Sequence, residues 1–420
     1  MAVIYLLALL FLFMFLQVPL AISIGLSSMI MLLVDGFSLD TIALRMFTGV
    51  DKPVLMAVPG FIFAGLIMAR GGMAKYLFEV MNAWIGHTRG GLSTVAILVS
   101  LIFAAISGSS AATAVAVGSI MIPVMTKAGY DKKYAAGLVA TAGTLGILVP
   151  PSVPLILYGS IAEISVKGLF TAALIPAALL ATALIIFSIV VAIRKGYGGL
   201  EKASWETRIK ASKKAIWGLL FPVIILGSIY GGIATPTEAS FIAVLYAFII
   251  SKYVYKEIDW KNFRDIVISS VNTTAMIFLI IASASLLGVF LSLEQIPQTF
   301  AAWIGSNFDS TIMFLLLVSL MLFVLGMFLD ATAMLMITLP IFLPILATLD
   351  INLFFFAVIM VVTMELGMIT PPLGMNLFVV SGVSGLKIES ILKGVLPFYA
   401  LLIIVLLILI FIPQLSLWLL

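Results

Sequence analysis

The chain has 420 residues, of which 63% are hydrophobic and 10% charged, with a net charge of +4 and no cysteine; its mean hydropathy is +1.30. A soluble domain carries about 25% charged residues, so this is an all-α polytopic membrane protein whose first partner is the lipid bilayer. The missing cysteines exclude disulfides, thiolate metal sites and cysteine nucleophiles, and nothing in the charge placement points to nucleic acid.

No charge precedes Asp35, so the N-terminus lacks the basic flank of a cleaved signal peptide and is expected to stay as the first membrane segment. A membrane helix needs roughly 20 largely apolar residues. Residues 3–34 reach that length but are interrupted by Pro19, which leaves either two short spans or one kinked helix. Further spans are expected near 53–69, 134–160, 169–193, 216–233, 236–254, 265–291, 352–383 and 395–419. Two apolar stretches, 92–126 and 311–347, are too long for one span, and each is broken midway by a polar cluster: ISGSSAAT at 106–113 and FLDATA at 328–333. They are expected to be hairpins that enter the membrane and return to the same side. Segments 70–90 and 292–310 are shorter and amphipathic and hold Trp84 and Trp303, so they are expected to lie in the interface plane as arms.

Nineteen of the 22 basic residues fall on one side of this layout; only Arg45, Lys52 and Lys167 fall on the other. Basic loops favour the cytoplasm, which puts both termini outside and the basic loop 194–215 inside. The first hairpin, between Arg89 and Lys127, then enters from the cytoplasm, and the second, between Asp309 and Asp350, from outside.

The halves also repeat. LGILVPP at 145–151 matches LGMITPP at 366–372, an offset of 221 that also sets Ser109 on Asp330 and Pro123 on Pro344. NAWIG at 82–86 meets AAWIG at 301–305, an offset of 219. An odd number of spans separates equivalent positions, so the second copy runs inverted. Inverted repeats with interrupted helices near the midplane are a hallmark of secondary transporters. The expected division is 1–69 as scaffold, 70–90 as arm, 91–168 as the first transport-core half, 169–193 as a linking span and 194–215 as a loop. The second copy follows with 216–291 as scaffold, 292–310 as arm, 311–384 as the second core half and 385–420 as the C-terminal span.

SGSSAATAVAVGS at 107–119, LGILVPP, ATPTEAS at 234–240, GMFLDATAMLMITLPIFLPI at 326–345 and ELGMITPPLGMNLF at 365–378 together resemble the large membrane subunit of tripartite ATP-independent periplasmic (TRAP) transporters. The likeness covers essentially the whole chain; one departure is Ser110-Ala111, where many relatives carry Gly-Pro. The resemblance implies an elevator-type, sodium-driven importer of organic acid anions in a bacterial inner membrane. It also implies two partners, a small four-helix membrane subunit and a periplasmic substrate-binding protein. Four-carbon dicarboxylates are the first substrate expectation and sialic or other sugar acids the next.

Proline lacks an amide proton and clashes with the preceding turn, costing about 3 kcal/mol inside a helix, so two in succession unwind it. Unwound backbone in a membrane is tolerated only where it is buried in protein or lines a polar cavity. Sodium, a hard ion, suits the freed carbonyls, and two matched breaks point to at least two ions. The first sodium set is Ser107, Gly108, Ser109, Gly143, Gly146, Val149 and Pro150; the second is Gly326, Asp330, Ala331, Thr332, Gly367, Thr370, Pro371 and Met375. The resemblance adds Ser109, Ser110, Thr113, Ser152, Asp330 and Asn376 as substrate contacts. The blander readings are that a Pro-Pro pair only kinks a helix, that membrane hydroxyls bond back to their own turn and that Asp330 caps the returning helix. Glu365, two residues before Gly367, is expected either to brace the unwound segment or to take a direct part in the site. An intramembrane enzyme is disfavoured by a single histidine and no cysteine, and a channel by opposed hairpins. A stand-alone sodium-coupled carboxylate carrier, needing no binding protein, stays open as the alternative.

Overall fold

The structure, a computed structural model, describes residues 2–299, 302 and 310–420. Residues 2–34 form two helices, α1 (Ala2–Phe15) and α2 (Leu20–Val34), with Pro19 just ahead of the second, where its missing N–H is not needed. At 14 and 15 residues each rises only about 21–23 Å, short of a hydrocarbon core of about 30 Å, and the two pack against each other. An amphipathic helix that the sequence reading did not predict follows, α3 (Leu39–Val50), started by Ser38, whose Oγ accepts from Thr41 N at 3.3 Å.

One tight turn at Pro53–Met56 leads into α4 (Ala57–Arg70), and the segment expected to be the first arm holds α5 (Met73–Ile85). The first hairpin is α6 (Gly91–Ser107) with α7 (Ser110–Lys127), and the first interrupted helix is α8 (Lys132–Leu148) with α9 (Val153–Ala162). A long span, α10 (Val166–Lys195), comes next. The basic segment that the sequence reading made a loop to residue 215 is helical from Trp205, as part of α11 (Trp205–Tyr230). The reasons are a cap and a tertiary contact. Ser204 caps the start, accepting from Thr207 N at 3.2 Å, and Arg208 is buried against the arm. Its Nε donates to Ala83 O at 3.1 Å, and its guanidinium lies 5.4 and 5.2 Å from the Trp84 and Trp205 ring centres.

The second half continues with α12 (Pro236–Ile249), extended by a wide turn to Val254, and α13 (Trp260–Leu293). The second hairpin is α14 (Thr311–Gly326) with α15 (Ala331–Thr348), and the second interrupted helix is α16 (Leu353–Met368) with α17 (Met375–Ser384). The chain then runs through α18 (Ile388–Phe411). Most of the second arm, with Trp303 and the AAWIG segment, lies outside the described residues.

Burial separates the elements. Helices α8 and α16, which precede the two breaks, are largely apolar and buried almost throughout, as helices at the centre of a membrane protein are. By contrast, α10, α11 and α18 expose large apolar side chains such as Ile186, Val223 and Ile403, the pattern of lipid-facing surface. Small residues set the close contacts between helices. Gly137 on α8 meets Gly394 on α18 backbone to backbone, and Gly60 on α4 meets Ser240 on α12. Helix α4 packs along α12, and α13 along both α2 and α4, so these four helices form one wall beside the two hairpins.

Candidate functional site

Each hairpin tip rests on the broken helix of its own half. In the first, α6 ends at Gly108, whose φ of +58° is a left-handed conformation that favours glycine. A Cβ at Gly108 would stand 2.7 Å from Pro151 O, and one at Gly146 would stand 2.7 Å from Ser110 N. Val153 N donates back to Gly108 O at 3.5 Å. The second half repeats the arrangement: Leu373 N and Gly374 N donate to Met327 O at 3.0 and 3.4 Å. A Cβ at Gly367, the residue 221 beyond Gly146, would stand 2.6 Å from Gly326 Cα.

The prolines decide which carbonyls are left over. Residues 150 and 151 have no N–H, so Gly146 O and Ile147 O lose the donors a continuing helix would supply. Ser152 Oγ donates to Ile147 O and accepts from Leu155 N, capping α9. In the second copy the same loss falls on Gly367 and Met368; Gly367 O accepts instead from Thr370 N at 2.9 Å, while Thr370 Oγ1 donates to Leu366 O at 2.6 Å. Both Pro-Pro bonds, 150–151 and 371–372, are cis.

The tip hydroxyls form a compact cluster. Ser107 Oγ is 3.0 Å from Thr113 Oγ1, which donates to Ser109 O at 2.8 Å. Ser109 starts α7, its Oγ accepting from Ala112 N at 3.4 Å. At the equivalent position Asp330 starts α15, Oδ2 accepting from Thr332 N at 3.0 Å and Ala333 N at 3.4 Å.

One cavity of about 530 Å³ joins the two tips. Ser107, Gly108, Ser109 and Ser110 line it from the first hairpin, Asp330, Ala331 and Thr332 from the second, and Met375 from the start of α17. Its opposite wall is α4, from Ile62 to Arg70, with Thr273 and Ile277 of α13. Since Arg70 ends α4 on the basic side, the cavity extends from the tips toward that side.

Other expected residues stand back from it. Thr113 and Ser152 are buried within their own hydrogen bonds. Asn376 is buried too: its Nδ2 donates to Ser110 Oγ at 2.7 Å and to Ala140 O at 3.0 Å, and its Oδ1 accepts from Ser110 Oγ at 3.0 Å. It ties the second broken helix to the first hairpin. Gly143 packs against Ala114, with a Cβ there 2.9 Å from that methyl. Val149 and Pro150, like Gly326, Gly367, Thr370 and Pro371, belong to the seams behind the tips. Glu365 is fully buried, and among the described residues neither carboxyl oxygen has a hydrogen-bond partner, so it braces nothing by hydrogen bonding. The reading missed Arg70, Ser119, Thr273 and Met368, all of which line the cavity. Arg70 was visible only as one more cytoplasmic cation.

Among relatives, the chain is 41% identical over 396 residues to the C4-dicarboxylate TRAP transporter large permease protein DctM of Pseudomonas aeruginosa, covering 94% of this chain and 93% of the relative. It is 35% identical to the sialic acid TRAP transporter large permease protein SiaM of Vibrio cholerae, covering 92% and 91% of the two chains. The fold is similar to that of the YdaH transporter of Alcanivorax borkumensis, with a TM-score of 0.66, 16% identity and coverage of 90% of this chain and 87% of that one. The family described as the tripartite ATP-independent periplasmic transporter, DctM component, matches residues 7–415. The chain therefore belongs to the DctM component of the TRAP transporters and is a multi-pass protein of the inner membrane.

Proposed function

We propose that this permease imports an organic acid anion, four-carbon dicarboxylates first, by sodium-coupled elevator movement, receiving it from a periplasmic binding protein and working with a small four-helix membrane subunit. The carrying observation is that Ser109 and Asp330, from opposite hairpins, line one cavity. An anion between the tips is reached from both halves of the core, and in an inverted repeat the same site can face either side in turn. Relatives named for C4-dicarboxylates and for sialic acid share an acid group, which supports the substrate class.

The donor set suits sodium as the co-transported ion. Gly146 O has lost its helical donor, the hydroxyls of Ser107 and Thr113 cluster at the tip, and every such group is a hard oxygen, which alkali cations prefer. A co-transported cation offsets the charge of the anion, which is expensive in a membrane interior. Asp330 is poorly suited to meet a carboxylate; it is suited to accept from a substrate hydroxyl or to share a cation. The wall of α4, α12, α13 and α2 serves in this reading as the scaffold against which the hairpins and broken helices move.

The test is uptake of labelled succinate into proteoliposomes holding this chain and its small subunit, with and without the binding protein and an inward sodium gradient. Uptake that needs both supports the proposal. Efficient uptake of free succinate by this chain alone favours the stand-alone carrier.

A further inference from the structure

The cavity carries two charged side chains, Asp330 at a hairpin tip and Arg70 on the facing wall. Arg70 is the last residue of α4 and is exposed. Its Nη2 donates to Ser269 Oγ on α13 at 3.1 Å. Among the described residues the ion pairs are Lys52–Glu163 and Lys75–Glu257, so the Arg70 guanidinium has no carboxylate partner there. A guanidinium carries five N–H donors in a planar fork that fits a carboxylate in two-point contact. The rest of the cavity is mainly apolar, with Ile62, Leu66 and Val115 in its walls, and walls of low dielectric concentrate the field of a lone cation into the space they enclose.

We propose that Arg70 is an anion-recognition residue of this cavity, meeting a carboxylate of the organic acid while the cavity is open toward the basic side. The inference rests on the function proposed above and adds a location. Part of the selectivity for anions lies on the α4 wall and not on the hairpin tips. Helix α4 touches the first hairpin where Gly65 meets Ser107 but packs mainly along α12 and α13, and in this proposal the Arg70 contact belongs to the inner, release-side position of the site. The simpler role for a basic residue here is to complement the C-terminal dipole of α4 or to tie α4 to α13 through Ser269.

The experiment uses the complete system, this chain with its small subunit in proteoliposomes and the binding protein present, with succinate as probe and neutral succinamide as control. The half-saturating internal succinate concentration for counterflow is measured together with the succinate-induced rise in Tm of the purified membrane complex. Loss of a charged hydrogen bond corresponds to a tenfold or larger effect, roughly. Arg70→Gln is expected to raise the half-saturating concentration about tenfold or more and to abolish the Tm rise. Arg70→Lys is expected to recover part of both, because the charge remains without the fork. Ser269→Ala is expected to stay within about twofold of wild type, and succinamide to produce no Tm rise in any variant. Unchanged half-saturation and Tm response in Arg70→Gln overturn the inference, as does a Ser269→Ala variant that reproduces the Arg70→Gln loss. Sodium-independent counterflow with these differences intact overturns the proposed coupling and leaves Arg70 in its role.

Discussion

At the scale of single residues, Asp330 occupies a position compatible with both roles that the sequence allowed it, a helix cap and a site residue. It caps α15 through two amides and also lines the cavity. An N-cap is worth about 1 kcal/mol, and asparagine caps as well as aspartate. Asp330→Asn is therefore expected to keep the Tm of the wild type and to lose sodium-dependent uptake; full uptake by this variant would remove the carboxylate from the site. Glu365 is the opposite case, a buried carboxyl without a partner. Burying an unpaired charge is costly, so Glu365→Gln is expected to leave Tm unchanged or raise it, and a clear fall on thermal denaturation in detergent would reveal a partner. The polar tips SGSS and FLDA were legible because hydroxyls and an acid stand out in apolar sequence. The tie from Asn376 to Ser110 was not, since it joins residues 266 positions apart and no local pattern encodes that. Arg70 was hidden for another reason: eighteen other basic residues share its side, and only the third dimension shows that it lines the cavity between the tips.

At the scale of elements, the two interrupted helices depend on close backbone contact. Gly146 and Gly367 stand 221 residues apart, and each presses on its own hairpin. A side chain at either site must displace backbone, and overpacking of this kind costs about 1–3 kcal/mol. Gly146→Val and Gly367→Val are each expected to lower Tm and to abolish uptake, whereas Gly382→Val, in α17 with open space around the added atom, is expected to change neither much. Equal behaviour of the three would show that the seams are loose. The hairpins and breaks were legible because Pro-Pro pairs and hydropathy are strong local signals. Helix α3 was not read, because a short amphipathic helix has the composition of an interfacial loop. The helical start of α11 was hidden by Arg208 and its lysines, which read as a solvated loop until Arg208 is seen packed against Trp84 and Trp205.

At the scale of the whole molecule, the family follows from motifs spread along the chain and from relatives that cover nearly all of it. The coupling ion, the substrate and the movement are proposals that rest on the geometry of the site. If the tips carry sodium and the acid jointly, neither gradient-free membranes nor a missing binding protein should support accumulation. The most direct measurement is succinate uptake by proteoliposomes containing this chain and its small subunit, with the binding protein supplied outside. The account predicts accumulation above equilibrium only with an inward sodium gradient and the binding protein present, and none with Asp330→Asn. Accumulation that persists without sodium would contradict it.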